Sequence, residues 1–220
     1  MTESTLKPDS PFDEETWAQL PALLAHLPEP VHLVVWGDET NPREAEAMRL
    51  CQTLTDHFAA ISSEVRPRQP NYDYWPVIGV MRGTAVSHED CGVRLIGLPH
   101  GYAMTVFIAA IQAVSFRGMT AEALTRIQLS KLEQEVRAEL ITAPDNEAGV
   151  MMAHPLTNMA AASPHVRVFV VMADQFPVIV ERYSVSYLPH TVLNGRVHIE
   201  GVVGEKEILE HMATAVTRDA

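Results

Sequence analysis

The sequence predicts a mixed α/β fold in which one succession of elements is written twice. Three observations lead there. Short runs rich in valine, isoleucine and leucine, at residues 31–36, 136–141 and 166–172, alternate with segments whose apolar residues recur at helical spacing. In each half of the chain, two further strand-like runs lie close together and are followed by a closing helical segment. The dipeptide Asn194-Gly195, between two such runs, is the signal of a tight hairpin turn.

Each element has its own reason. Residues 13–26 place Trp17, Leu20, Leu23, Leu24 and Leu27 near one helical face, and Pro28 and Pro30 end the helix. Residues 31–36 read as a buried strand. Asn41 followed by Pro42 supplies an N-cap and a first-turn proline for a helix over 42–59, with Met48, Cys51, Leu54, Thr55 and Phe58 at helical spacing. Residues 63–66 form a short strand. Strands at 76–81 and 92–98 follow, joined by a long hairpin loop, and 102–115 is an apolar helix. Thr120 opens a charged connecting helix over 120–134. The order then begins again: a strand at 136–141, a helix at 145–162, a strand at 166–172. Asp174 is expected to cap a short helix over 175–183. Strands at 191–193 and 197–200 flank the type I′ signal, so His190 would face Ile199, and His198 would point to the opposite side of the sheet. Residues 206–216 close the chain as a helix.

This division predicts an N-terminal tail and helix over 1–30, a first unit over 31–118, a connecting helix over 119–135 and a second unit over 136–220. The alternative, one continuous α/β domain, stays open. The net charge is −12 and no Lys/Arg cluster interrupts it, which argues against nucleic acid or an anionic membrane as partner. No apolar run approaches the roughly 20 residues of a membrane span. Residues 1–12 are polar, with Pro8 and Pro11, so a secretory signal is not expected and the compartment expected is the cytoplasm. The two cysteines, Cys51 and Cys91, are spaced unlike any Cys/His metal motif. Among ten histidines there is no His-x-x-x-His or His-Glu pattern, and no phosphate loop, dinucleotide fingerprint or nucleophile elbow occurs. Neither a metal nor a cofactor is expected.

The segment Tyr183-Ser184-Val185-Ser186-Tyr187-Leu188-Pro189-His190-Thr191-Val192-Leu193-Asn194-Gly195 and the strand after it resemble the second half of a thioredoxin-type domain. Gly92-Val93-Arg94-Leu95-Ile96-Gly97-Leu98-Pro99-His100-Gly101-Tyr102 is similar to the strand, small-residue turn and helix start of the same group, as are Ser163-Pro164-His165-Val166-Arg167 and Phe176-Pro177. Together they resemble the tandem thioredoxin-fold family, which includes glutaredoxin-like protein disulfide oxidoreductases and the N-terminal domain of the flavoprotein subunit of alkyl hydroperoxide reductase. The resemblance covers about residues 13–212. It implies two tandem thioredoxin-like (glutaredoxin-like) units, each a central mixed β-sheet flanked by helices. It also implies that Pro189, preceded by Leu188, is the cis-proline facing the active site, with Pro76, preceded by Trp75, as its first-half counterpart. The family's Cys-x-x-Cys motif falls on Asp145-Asn146-Glu147-Ala148, so Asp145 and Ala148 stand where two thiols are expected. The first-half turn, Gly37-Asp38-Glu39-Thr40-Asn41-Pro42, also lacks a thiol.

A dithiol site works because a helix N-terminus stabilises a thiolate that attacks a disulfide, while a second thiol resolves the mixed intermediate. Asp145 keeps the negative charge but is a poor nucleophile, and Ala148 resolves nothing. Asp145 is expected to be the N-cap, with Glu147 adding favourable charge in the first turn. Leu188 and Pro189, with Asp145, Asn146 and Glu147, form the candidate surface for an extended peptide pairing with the backbone of Leu188. Cys51 reads as a buried small hydrophobe. Cys91, in Asp90-Cys91-Gly92, is expected at an exposed hairpin edge, where Glu89 and Asp90 would raise its pKa. The preferred expectation is a redox-inactive, peptide- or protein-binding relative, leaning away from an enzyme. The alternative is a thiol-disulfide oxidoreductase, or a peroxidase-linked carrier in redox homeostasis, that uses Cys91 with or without Cys51. A third reading is a subunit that only stabilises an oligomer.

Overall fold

The computed structural model describes residues 11–217. The first ten residues of the expected tail-and-helix segment over 1–30, and the last three residues of the second unit, lie outside the described residues. The chain runs α1 (Glu14–Leu24), β1 (Val31–Trp36), α2 (Pro42–His57), β2 (Ile61–Arg66), β3 (Val77–Gly83), β4 (His88–Ile96), α3 (Tyr102–Ser115) and α4 (Ala123–Leu129). It continues with β5 (Val136–Thr142), α5 (Glu147–Ala162), β6 (Val166–Met172), α6 (Val178–Arg182), β7 (His190–Leu193), β8 (Val197–Glu200) and α7 (Glu205–Thr217). Among the described residues, no helix is long and apolar enough to cross a membrane.

All eight strands form one mixed sheet in the order β2-β1-β3-β4-β6-β5-β7-β8. The order β2-β1-β3-β4 is repeated by β6-β5-β7-β8, as the repeated succession of elements requires. The two four-stranded halves are joined edge to edge where β4 pairs in parallel with β6, from Val93 opposite Val168 to Ile96 opposite Val171. The two expected sheets are therefore one, and each half hides an otherwise open strand edge of the other.

Alternation along the strands sorts two layers. On one face Leu33, Val35, Ile78, Val80, Val93, Leu95, Ala138, Leu140, Val168 and Val170 meet the apolar sides of the helices, including Leu50 and Leu54 of α2, Phe107 and Ile111 of α3, Met152 and Leu156 of α5 and Met212 of α7. On the other face Val34, Trp36, Ile96, Ile141, Phe169, Val171 and Val192 are covered by the short helix α6 and its flanks, through Phe176, Ile179, Val180, Tyr183, Val185 and Leu188, and by Tyr72, Tyr74 and Trp75 of the loop before β3. The second cover is thin, and it leaves charged groups under it.

Several elements differ from the sequence expectation for local reasons. The connecting helix shrinks to Ala123–Leu129 because the Thr120 hydroxyl donates to Asn158 Oδ1 instead of capping, and Ser130 closes the last turn. The α6 helix starts at Val178, not at residue 175. Asp174 is engaged with His100 Nε2 (3.1 Å), and both ends of the Gln175 amide are bonded to the backbone of Leu98 (2.9 and 2.8 Å). The long loop expected between β3 and β4 is a short turn, because both strands extend toward it. Gly83 takes φ 121°, where a side chain would collide with the Ser87 carbonyl and, at 2.8 Å, with the His88 Cα.

Candidate functional site

Strand β5 lies between β6 and β7, and its end is set by the antiparallel pair Ile141–His190. Thr142 is thereby level with Pro189. The residues that follow, 143–146, turn into α5 at the same end of the sheet. Asn146 caps this helix: its Oδ1 accepts the Gly149 N–H at 2.6 Å. The cap expected at Asp145 is thus one residue later. Asn146 holds the extended backbone that a cap requires, while Asp145 is an exposed turn residue. Glu147 is exposed in the first turn and Ala148 is half-buried. The turn is braced from the other half of the chain, because the Tyr102 N–H donates to the Pro144 carbonyl at 2.8 Å. Gly101, at φ 55°, makes this approach possible, since a Cβ there would collide with that same carbonyl.

The Leu188–Pro189 peptide bond is cis, as the resemblance implied. Pro189 is buried, and its carbonyl accepts the Gly201 N–H at 2.9 Å. Leu188 is half-buried against the second-face cluster, and the neighbouring Tyr187 is exposed. Among the described residues, the N–H and C=O of Leu188 enter no backbone hydrogen bond. The first half repeats the arrangement. Trp36 pairs with Val77, so Gly37 is level with Pro76; Trp75–Pro76 is cis; the Pro76 carbonyl accepts the Gly97 N–H at 2.8 Å. There the turn is tied by Glu44 of α2, only 2% exposed, whose Oε2 accepts from the Asp38 N–H (2.6 Å) and from Arg68 Nε (2.9 Å).

The thiols are elsewhere. Cys51 faces the helix-covered core and is fully buried, and desolvation pushes its pKa far up. Cys91, expected at an exposed edge, is 7% exposed; its side chain joins the same core, since its neighbours on β4 alternate between the two faces. Burial pushes the Cys91 thiol up, with Glu89 and Asp90 adding a smaller effect in the same direction. Met81 pairs with Asp90 and Val77 with Ile96, so Cys91 lies toward the end of β4 remote from Pro76. Both cysteines are free.

A layer of charge that the sequence alone does not announce lies under the second face. Arg94, 5% exposed, donates to Asp90 (3.0 and 2.6 Å) and to the Tyr72 hydroxyl (2.9 Å), and lies 5.1 Å from the Trp36 ring centre. Glu139 accepts from Arg137 at 2.9 Å and from the Tyr183 hydroxyl; burial, followed by that carboxylate, pushes Tyr183 up to about 12. The hairpin histidines belong here as well. Asn194 and Gly195 do take positive φ, and the Arg196 N–H closes on the Leu193 carbonyl at 3.0 Å, as a type I′ turn requires. The ladder, however, resumes only with Leu193 opposite Val197, leaving Arg196 as an extra residue. His190 therefore pairs with Glu200, not Ile199, and His198 falls on the same face as His190, with the rings joined Nε2 to Nδ1 at 2.8 Å. One residue of register had reversed their expected relation. The polar members of this layer were legible as alternating positions in strands; the loop and helix that bury them were not.

The sequence profile of the thioredoxin domain matches residues 150–213. No curated protein matches the sequence. Among solved structures, the N-terminal region of the alkylhydroperoxide reductase AhpF from Enterococcus faecalis aligns with 91% of this chain and 99% of its own length, at TM-score 0.82 and 18% identity. A protein disulfide oxidoreductase from Aeropyrum pernix aligns with 93% of this chain and 94% of its own, at TM-score 0.80 and 19% identity. The chain has the thioredoxin-type α/β fold that these proteins share.

Proposed function

We propose that this protein is a redox-inactive member of the thioredoxin-fold group that binds an extended peptide or protein segment across Leu188–Pro189 and the Asp145–Glu147 turn. The observation that carries the reading is the free backbone of Leu188, level with a turn that has Asp145 and Ala148 in place of two thiols. A strand laid beside Leu188 would find an unpaired N–H and C=O there, and the exposed Tyr187 and Asp145 would flank it. Redox inactivity is supported by the two free thiols being buried, with pKa raised, and so poor in thiolate. The expected setting is the cytoplasm, with no cofactor.

The test has two arms. Insulin reduction should show no turnover above the dithiothreitol background. A panel of unstructured peptides, followed by amide NMR shifts, should perturb residues 143–147 and 187–189, and Leu188→Pro, which removes the N–H, should abolish the response. Robust turnover that is lost in Cys91→Ser would instead establish the oxidoreductase alternative. Peptide shifts confined to other surfaces would refute the binding site.

A further inference from the structure

At the outer part of the first half, three side chains from separate segments converge on the thinly covered face. His32 of β1 is fully buried, Glu64 comes from the edge strand β2, and His88 opens β4 just after the tight turn at Gly83. Register explains the meeting: His32 is opposite Ser62 on one side and Met81 on the other, and Gly83 is opposite His88. The ligand-type atoms of the three all lie within 4.8 Å of one another.

Two features separate this cluster from a packed polar contact. First, His32 Nε2 is fully buried without a hydrogen-bond partner and stands 3.5 Å from Glu64 Oε1, an oxygen engaged by the Arg66 guanidinium. Buried polar atoms are normally satisfied, so this nitrogen calls for an occupant. The spacing suits one: two ligands on a tetrahedral Zn2+ with bonds of about 2.0–2.1 Å stand about 3.3–3.4 Å apart. Second, each imidazole is held by its other nitrogen. His32 Nδ1 contacts Ser62 Oγ at 2.8 Å, and His88 Nδ1 contacts the Thr84 carbonyl at 3.2 Å. A carbonyl only accepts, so His88 donates through Nδ1 and turns Nε2 toward the cluster, the arrangement usual around metal-bound histidines. The rings stack with centroids 4.6 Å apart.

We propose that His32, Glu64 and His88 form a binding site for a divalent transition cation of the Zn2+ class, with water completing the coordination. Glu64 is partly exposed, giving an entry path, and the net charge of −12 favours cations. The Arg66 guanidinium, which now pairs with Glu64 Oε1, is the cation that a metal would displace. The site stands apart from the Pro189 surface and does not rest on the reading given for it.

The experiment is Zn2+ titration of untagged, chelator-stripped protein by calorimetry, with Co2+ absorption reporting geometry. Wild type should take up one Zn2+ per chain. His88→Ala and Glu64→Gln, with folding checked by circular dichroism, should each weaken binding by at least about tenfold, the scale seen when metal-site partners are lost. Glu64→Gln carries the test if His88→Ala misfolds. Arg66→Gln should tighten binding by removing the competing charge, and His211→Ala, on the exposed side of α7, should leave it unchanged. No uptake by wild type up to about 1 mM, an affinity of only about 4 kcal/mol, would overturn the proposal. Unchanged binding in Glu64→Gln, or no tightening in Arg66→Gln, would also overturn it.

Discussion

Gly149→Ala tests how tightly the turn at the Pro189 end is built. Gly149 is in the first turn of α5, at a φ that alanine can adopt, so helix propensity alone favours the substitution by about 0.5–1 kcal/mol. Its surroundings oppose it. A Cβ there would run into Thr142 Oγ1 and come within 3.1 Å of the Thr142 Cβ and 3.3 Å of Asn146 Oδ1. Thr142 ends an interior strand and is almost fully buried, and Asn146 is held by its cap, so neither yields easily. Overpacking of this kind costs about 1–3 kcal/mol. The overlap with Thr142 Oγ1 is deep, so the cost falls in the upper part of that range, about 2–3 kcal/mol; net of propensity the variant should lose about 1–2.5 kcal/mol, or roughly 2–10 °C in Tm for a chain of this size. Urea and thermal unfolding of wild type, Gly149→Ala, Thr142→Ala and the double variant form a double-mutant cycle. The Thr142 hydroxyl is itself buried without a partner, so Thr142→Ala sacrifices no hydrogen bond and should restore at least half the loss. A Gly149→Ala protein as stable as wild type, or a cycle with no coupling, would refute the reasoning.

Two further outcomes follow from buried polar groups. Glu44→Ala should lower stability by about 1–2 kcal/mol through the lost charged hydrogen bond to the Asp38 N–H, with nothing credited to the exposed Arg68; Glu44→Gln, which keeps an acceptor, should lose less in the same urea titration. Desolvation, with His198 beside it, lowers the pKa of His190, so the unfolded chain binds the proton more readily than the folded one. Stability should therefore be full above the unfolded value near 6.5 and fall as pH drops below it. His190→Gln should flatten that slope between pH 7.5 and 5.5, and an unchanged slope would remove His190 as a cause.

How much could be read in advance differs from place to place. The helix over Tyr102–Ser115 and the strands Val166–Met172 and Val197–Glu200 were bounded correctly, because each is an apolar run closed by local signals. The helix expected from Thr120 failed because a distant side chain, Asn158, took the hydroxyl that should have capped it. Cys91 was misjudged for a related reason: a hairpin edge in one half of the chain became an interior strand once β6 docked on β4. The doubled order of elements and the missing thiols opposite Pro189 were visible in the residues themselves. The cap at Asn146 was not, since Asp145, Asn146 and Glu147 offer similar chemistry and only the backbone angle at the turn selects among them.

Local patterning, in short, was enough for which segments are strands, which are helices, and which residue types stand at the Pro189 end, because periodicity and capping act over a few neighbours. The single eight-stranded sheet, the shared face of His190 and His198, and the convergence of His32, Glu64 and His88 depend on register between segments far apart in the chain. A shift of one residue turns a side chain to the other face, so nothing short of the assembled sheet could decide which of these groups meet.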